Sequence, residues 1–139
     1  HPNDRGPPQS RTAKGLADKR NNIGRGTSLV FLSSIDAQLN SKGQSAYGGS
    51  KAALAASIKA ISREYAQQGI RMNCLLPSMI KTPMTKSVVE LEENIVTPEE
   101  YPFGWGEPID VASFIAFLLS SDSKFLSGQK YIVDSGGVV

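Results

Sequence analysis

Two short apolar runs, separated by a long segment with helical periodicity, constrain the fold of this chain more than any other feature. Residues 29–32 (L-V-F-L) form a continuous apolar run that ends in two serines, which predicts a strand over residues 28–33 buried on both faces. Apolar residues then recur at helical spacing over residues 45–67, and I-R-M-N-C-L-L-P predicts a second strand that ends at Pro77. Strand, helix and strand in this order predict a βαβ unit with parallel strands and a right-handed crossover.

This unit brings together three residues that can take part in acid–base chemistry. Ser34 follows the first strand, and ligands of open parallel sheets bind outside the carboxyl ends of the strands. Tyr47 and Lys51 stand four residues apart on the predicted helix, which places them on one face with Cβ atoms about 5–6 Å apart. The phenol of a free tyrosine has a pKa of about 10, too high for ready proton exchange at neutral pH. A neighbouring cation stabilises the phenolate and lowers that pKa. A hydroxyl, a phenol and an ammonium group together suit carbonyl reduction or alcohol oxidation.

The strand-end serine, the thirteen-residue interval from Ser34 to Tyr47 and the Y-x-x-x-K helix together resemble the active site of the short-chain dehydrogenase/reductase family. The resemblance, which is to 3-oxoacyl reductase-like members, implies an oxidoreductase that interconverts a ketone and a secondary alcohol with NADP or NAD as cofactor. By the same resemblance Tyr47 is the general acid/base and Ser34 polarises the carbonyl. Lys51 supports the Tyr47 phenolate and holds the ribose hydroxyls, so Tyr47 and Lys51 also belong to the cofactor site.

The interval between the tyrosine and the lysine narrows the reaction within the family. Enoyl reductases related to it usually have a longer interval than the four residues from Tyr47 to Lys51, so double-bond reduction is disfavoured. A 3-oxoacyl thioester reductase and a sugar or polyol dehydrogenase both remain open.

The loop after Pro77, S-M-I-K-T-P-M-T, resembles the segment that encloses the nicotinamide in this family. By that resemblance Pro77, Ile80 and Thr82 are cofactor-binding residues. Ile80 would contact the carboxamide through its backbone, and Thr82 would contribute a hydroxyl near the nicotinamide or the phosphates. The family usually has glycine where this chain has Ser78. A serine adds a Cβ atom that restricts φ, so an altered turn is expected there.

Later segments extend the resemblance over residues 27–139. Residues 84–101 correspond to a lid over the substrate, with Leu91 and Ile95 as weak helical anchors. Pro108 suits the start of a last large helix whose broad apolar face predicts heavy burial, and G-Q-K-Y-I-V-D-S-G-G predicts a final strand over residues 130–134. The expected fold class is α/β: a partial doubly wound parallel sheet of three strands with two main helices, the C-terminal half of a Rossmann fold.

The sequence lacks, between a strand and a helix, the glycine-rich turn that receives a pyrophosphate at a helix N-terminus. Residues 27–139 are therefore expected to be the C-terminal half of a family domain. Alone, the first strand would present unpaired backbone groups at an edge. The expected partners are a missing N-terminal half or a second copy in a homo-oligomer, besides a small-molecule carbonyl or alcohol substrate. The alternative is a catalytically inert half-domain, or a fragment, that acts only in assembly.

The basic residues of the chain are concentrated at its start. Residues 1–26 carry six Lys or Arg against two Asp or Glu; they are expected to form a basic polar leader that is partly disordered, with the end of a helix around residues 16–22. Residues 27–139 carry nine Lys or Arg against eleven Asp or Glu. This slightly acidic balance argues against a nucleic-acid-binding domain, which would present a basic face.

The counts of cysteine and histidine exclude further classes of site. Cys74 is the only cysteine and His1 the only histidine, so no internal disulfide, multi-cysteine metal site or histidine-based triad is expected. No apolar run approaches membrane-spanning length and no signal-peptide pattern occurs, so no membrane association and a cytoplasmic location are expected.

Overall fold

A computed structural model describes residues 26–92 and 101–136, together with the single residue Gln9. This part of the chain contains the strands β1 (Ser28–Leu32), β2 (Arg71–Pro77) and β3 (Lys130–Val133). It also contains the helices α1 (Asp36–Leu39), α2 (Ser45–Glu64), α3 (Lys86–Glu92) and α4 (Pro108–Leu119), with 3-10 turns at Ala66–Gln68 and Ser121–Ser123. Apart from Gln9, the predicted leader up to residue 25 lies outside the described residues. So do the predicted helix end over 16–22 and the part of the predicted lid over 93–100, with its anchor Ile95.

The strands form one parallel sheet in the order β1-β2-β3. In β2, Cys74 stands opposite Phe31 of β1, and Leu76 stands opposite Ile132 of β3. Because β2 has hydrogen-bonded neighbours on both sides and the connections carry helices, the fold is a partial doubly wound α/β sheet. The predicted fold class is confirmed, and β1 forms one edge of the described sheet.

The apolar run of β2 is explained by burial on both faces of the sheet. Met72, Cys74 and Leu76 are fully enclosed on one face of the strand and pack in one cluster with Ile58 and Ile61 of α2. Leu75, which points to the opposite face, is also fully enclosed. Burying such a side chain completely contributes about 1.5–3 kcal/mol. This cluster fixes α2 across β1 and β2, and it therefore fixes every side chain that α2 carries toward the strand ends.

A buried side-chain amide in β2 binds the segment that leads into β3. The Asn73 side chain is fully enclosed; its Nδ2 donates to the Leu126 carbonyl at 3.0 Å, and its Oδ1 accepts from the Gln129 N–H at 3.2 Å. These bonds satisfy a polar group that would otherwise be costly to bury. They also hold the chain that leads into β3.

Two details of the helices differ from the sequence-based prediction. The polar segment between Ser34 and Ser45, for which no helix is predicted, contains the short helix α1, which ends at Asn40 in the left-handed conformation with φ of 51°. Helix α2 ends at Glu64, and a 3-10 turn continues to Gln68. Gly69 follows in the left-handed conformation, with φ of 76°, which favours glycine.

The predicted heavy burial of α4 is wrong. Val111 and Leu118 are buried, whereas Phe117 is 40% and Leu119 is 50% exposed. The helix packs against β1 through one face, so apolar positions around the rest of its circumference stay at the surface of the described chain. None of the helices in the described ranges is long and apolar enough to cross a membrane.

One arginine ties the start of β2 to the end of α4. Arg71 Nη1 donates to the carbonyl groups of Ser123 at 2.9 Å and Leu126 at 3.2 Å. Its Nη2 donates to the carbonyl groups of Leu118 at 3.3 Å and Ser120 at 3.0 Å. The last carbonyl groups of a helix lack intrahelical partners, and a cation near them is favourable. Arg71 therefore caps the C-terminus of α4 and fixes that helix against the sheet.

Replacing Arg71 by methionine should lower the free energy of unfolding by about 2–3 kcal/mol, because several carbonyl groups lose a charged donor while the aliphatic stem keeps its volume. Urea unfolding followed by circular dichroism measures the change. Arg63→Met, at an exposed position in the last turn of α2, is the matched control and should stay within about 0.5–1 kcal/mol of the parent chain. Equal losses in the two variants would contradict the capping role.

Candidate active site

The carboxyl end of β1 presents two buried serines with different hydrogen bonds. The Ser33 N–H donates to the Leu75 carbonyl at 2.7 Å, and Ser33 Oγ donates to the Lys51 carbonyl at 2.8 Å. Ser33 therefore fixes the strand end to the backbone of α2. Ser34 Oγ accepts from the Asp36 N–H at 3.2 Å. Accepting leaves the hydroxyl proton of Ser34 unused by that bond, so Ser34 can donate it to a substrate oxygen.

Tyr47 and Lys51 lie side by side in the first turns of α2. Lys51 Nζ is 5.5 Å from the centroid of the Tyr47 ring, a distance at which a cation is attracted to an aromatic face. The Tyr47 side chain is 45% exposed, so a substrate can reach the phenol. The predicted adjacency of a phenol and an ammonium group is present in the structure.

A close approach between α1 and α2 brings Tyr47 toward Ser34. Gly48 is buried, and a Cβ atom built on it would lie 2.9 Å from the Asp36 carbonyl oxygen of α1. Only glycine allows this separation without a shift of the backbone. Asp36 therefore touches both catalytic elements: its N–H donates to Ser34 Oγ, and its carbonyl lies against Gly48 of α2, the helix that carries Tyr47.

Ser34 and Tyr47 line one cavity of about 300 Å³, which we call the reaction cavity. Its wall includes Ser78 and Met79 from the loop after β2, and Tyr101 from the segment before α4. Lys51 does not line the cavity, but its Nζ lies 5.5 Å from the centroid of the Tyr47 ring. The structure thus brings Ser34 and Tyr47 to a common space and places Lys51 behind the phenol.

The three residues predicted to bind cofactor beyond α2 lie beside the reaction cavity and do not line it. Pro77 ends β2, and its carbonyl accepts from the Ile35 N–H at 3.0 Å, which joins the ends of β1 and β2. Ile80 forms a parallel bridge with Gly106, and its side chain lines a second cavity. Thr82 lies further along the same loop, in the turn before α3.

A clamp from the segment before α4 holds this loop in place. The Gly106 N–H donates to the Met79 carbonyl at 3.1 Å, and the Lys81 N–H donates to the Gly106 carbonyl at 2.8 Å. Lys81 Nζ is also 3.5 Å from Glu107 Oε1. A Cβ atom at Gly106 would lie 2.6 Å from Ile80 Cδ1, so the loop and the clamp are in close contact.

Thr85 is a residue of the candidate site that the sequence analysis missed. Its Oγ1 donates to the Ile80 carbonyl at 2.5 Å, and it lies 3.0 Å from Thr82 Oγ1. Either hydroxyl can be the donor in the bond between Thr82 and Thr85. The bond holds the Thr82 side chain against the start of α3. The available signal was a threonine directly before a helix, the usual position of a cap.

The turn at Ser78 tolerates the serine. The Ser78 N–H donates to the Val133 carbonyl at 2.9 Å, which continues the pairing of β2 with β3. The non-glycine residues with positive φ in the described chain are Asn40 and Ser135. Ser78 thus does not adopt the left-handed conformation that favours glycine, and its Cβ atom causes no backbone strain. Its Oγ donates to the Tyr101 hydroxyl at 3.3 Å.

The single cysteine takes no part in this chemistry. Burial raises the pKa of the Cys74 thiol from 9.0 to about 11, so the thiol stays protonated and unreactive at neutral pH. Within residues 26–92 and 101–136, no group of His, Cys, Asp and Glu side chains could hold a metal ion.

Comparisons with known proteins agree with the partial α/β fold. The family model described as enoyl-(acyl carrier protein) reductase matches residues 12–137. A solved short-chain dehydrogenase/reductase from Brucella melitensis superposes with a TM-score of 0.77 at 28% identity, over 93% of this chain and 56% of that one. The chain belongs to the short-chain dehydrogenase/reductase family. A 7α-hydroxysteroid dehydrogenase of the family, solved with NADH and 7-oxo glycochenodeoxycholic acid, has a TM-score of 0.77 at 27% identity, over 91% of this chain and 48% of its own.

Two of the curated relatives carry names of hydroxyacyl and oxoacyl enzymes. The mouse (3R)-3-hydroxyacyl-CoA dehydrogenase is 40% identical over 114 residues, which cover 81% of this chain and 43% of the relative. The 3-oxoacyl-(acyl-carrier-protein) reductase of Chlamydia pneumoniae is 36% identical over 115 residues, which cover 81% and 45%. The chain spans less than half the length of these relatives.

The close approach of α1 and α2 is testable with two neighbouring glycines. Gly48→Ala should lower the free energy of unfolding, because the new methyl group meets the Asp36 carbonyl at 2.9 Å. Gly49→Ala, whose Cβ meets nothing within 4 Å, should raise it by about 0.5–1 kcal/mol through helix propensity. Urea unfolding of both variants measures the difference. Equal stabilisation by the two substitutions would show that the two helices are not in close contact.

Proposed function

We propose that the chain is part of an NAD(P)-dependent oxidoreductase that interconverts a ketone and a secondary alcohol. The observation that supports this most directly is the reaction cavity, which Ser34 and Tyr47 line together, with Lys51 Nζ 5.5 Å from the phenol ring. The names of the relatives point the same way, since they refer to hydroxyacyl, oxoacyl and hydroxysteroid substrates. The four-residue interval from Tyr47 to Lys51 favours ketone chemistry over the double-bond reduction named by the family model.

The catalytic residues have distinct tasks in this proposal. Tyr47 donates a proton to the carbonyl oxygen in reduction and accepts it back in oxidation. Ser34 donates its free hydroxyl proton to the same oxygen, which polarises the carbonyl and orients it toward the phenol. Lys51 stabilises the Tyr47 phenolate through its charge and holds the ribose hydroxyls of the nucleotide.

The residues around the reaction cavity fit the nicotinamide half of a dinucleotide. That group, when bound, supplies or accepts the hydride. Pro77, Ile80 and Thr82 would hold it from the loop after β2: Ile80 would contact the carboxamide through its backbone, and Thr82 would contribute a hydroxyl near the nicotinamide or the phosphates. Either NADP or NAD suits these residues, because none of them distinguishes the two.

We further propose that residues 27–139 form the C-terminal half of a family domain and that residues 1–26 are a basic leader. The share of the relatives that the chain covers supports half a domain. The boundary at residue 26 is proposed from composition alone, since the family model matches from residue 12, and a cytoplasmic location is likewise proposed from the composition. The expected partners are an N-terminal half or a second copy in a homo-oligomer. The edge position of β1, where Leu32 is 49% exposed, supports such an association.

The second candidate function is a catalytically inert half-domain that acts only in assembly. The same edge position of β1 favours it, because an added strand at that edge would satisfy backbone groups and cover Leu32. The two candidates differ in whether the nucleotide binds.

Titration of NADPH and NADH against the chain separates the two candidates. We expect saturable binding of one nucleotide by nucleotide fluorescence, together with a mass above the monomer in size-exclusion chromatography, because a second copy or an added half completes the site. A folded sample that binds neither nucleotide would favour the assembly module and overturn the proposed oxidoreductase for this chain.

Tyr47→Phe tests the chemistry. With butan-2-one and the reduced nucleotide that binds, the substitution should lower kcat by about 10²–10⁴-fold, the usual contribution of a general acid. Nucleotide oxidation, followed by absorbance, measures it. Tyr65→Phe, at the end of the same helix and outside the reaction cavity, is the control and should keep the parent rate. Full activity in Tyr47→Phe would exclude the assigned role.

A further inference from the structure

The hydroxyl of Thr85 lies at the centre of the loop after β2. Its Oγ1 donates to the Ile80 carbonyl at 2.5 Å and accepts from the Thr82 N–H at 2.9 Å. The Thr85 N–H donates to the Thr82 carbonyl at 3.1 Å, so the backbone of this turn is fixed as well. One side chain thus bonds to both residues of the loop, Ile80 and Thr82, that the proposed function assigns to the nicotinamide.

The backbone of Ile80 is held from two sides. On one side, Gly106 bonds to the two neighbours of Ile80 through its N–H and its carbonyl. In a parallel bridge of this kind, the N–H and carbonyl of the central residue point away from the partner segment. On that far side, Thr85 donates to the Ile80 carbonyl, whereas the Ile80 N–H has no acceptor among the described residues. The loop therefore leaves this N–H free to donate to a ligand.

Thr85 also lines the reaction cavity, together with Ser34 and Tyr47. Ile80 and Thr82 lie outside this lining, so Thr85 connects the cavity of the catalytic hydroxyls to the residues assigned to the nicotinamide. Hydride transfer requires the two reacting carbon atoms to be in contact, and a misplacement of about 1 Å can cost about 10²-fold in rate. The contacts that fix Ile80 and Thr82 relative to the cavity therefore matter for the proposed reaction.

We propose that Thr85 is a positioning residue for the nicotinamide. Its hydroxyl fixes the Ile80 carbonyl and the Thr82 N–H, and through them it sets the orientation of the two residues that would contact the nicotinamide. Thr85 acts through these neighbours and needs no contact of its own with the nucleotide. This inference rests on the proposed function and adds one residue to it.

Amide hydrogen exchange, followed by NMR without nucleotide, tests the contact itself. Thr85→Val keeps the shape of the side chain but lacks the hydroxyl, so it should speed exchange of the Thr82 N–H by at least about threefold. Thr85→Ser keeps the hydroxyl and should stay within about twofold of the parent chain. The Lys81 N–H, which bonds to the Gly106 carbonyl, is the internal reference. Unchanged exchange at Thr82 in Thr85→Val, or an equal rise at Lys81, would overturn the proposal.

Nucleotide binding tests the purpose of the contact. Calorimetry compares the Kd of the nucleotide that binds, NADH or NADPH, with the Kd of its ADP-ribose part, which lacks the nicotinamide. Thr85→Val should lower the ratio of the ADP-ribose Kd to the nucleotide Kd by about tenfold, and Thr85→Ser should keep it within about threefold of the parent ratio. Thr85→Ala replaces Thr85→Val if circular dichroism shows that valine prevents folding. An unchanged ratio, whether both ligands weaken equally or neither does, would overturn the positioning role.

Failure of this inference and failure of the proposed function are distinguishable. A folded parent chain that binds neither nucleotide overturns the proposed function, and the positioning role falls with it. A parent chain that binds a nucleotide, while Thr85→Val leaves the exchange of the Thr82 N–H or the Kd ratio unchanged, overturns the positioning role alone.

Discussion

The pairing of β2 with a strand on each side is the constraint on which the rest of the structure depends. A strand in this position has no backbone groups left for water, and the enclosure of Met72, Cys74, Leu75 and Leu76 removes both of its faces from solvent. Because all three strands are parallel, their carboxyl ends meet at one edge of the sheet. Both cavities lie at that edge, one beside the end of β1 and the other beside the end of β3.

Contacts to backbone groups position the candidate catalytic residues. Ser33 bonds to the Lys51 carbonyl, Ile35 bonds to the Pro77 carbonyl, and Gly48 lets α2 approach the α1 backbone. These contacts leave the Ser34 proton and the Tyr47 phenol available at the cavity. A site held this way can keep its geometry while the lining side chains vary, which suits a family with many substrates.

Several parts of this arrangement could be predicted from the sequence. The continuous apolar runs predicted the strands, because a strand buried on both faces carries mostly apolar side chains. The four-residue interval between Tyr47 and Lys51 predicted that the two side chains are adjacent, because helix geometry places such residues on one face. The helix α1 was missed, since four residues of mixed polarity have no periodicity to detect. The burial of α4 was overestimated because a sequence reveals which positions are apolar but not how many neighbours the helix has.

The sequence by itself determined the fold class, the family and the identity of the candidate catalytic residues, because these depend on local periodicity and on motifs with fixed spacing. The tertiary structure alone decided which residues share a cavity. Ser78 bonds to Tyr101, and Trp105 shares a cavity with Ile80 and Val133, only after residues distant in the sequence fold onto the same edge of the sheet. Contacts of this kind depend on the distance between atoms of separate elements, and local sequence patterns do not contain that distance.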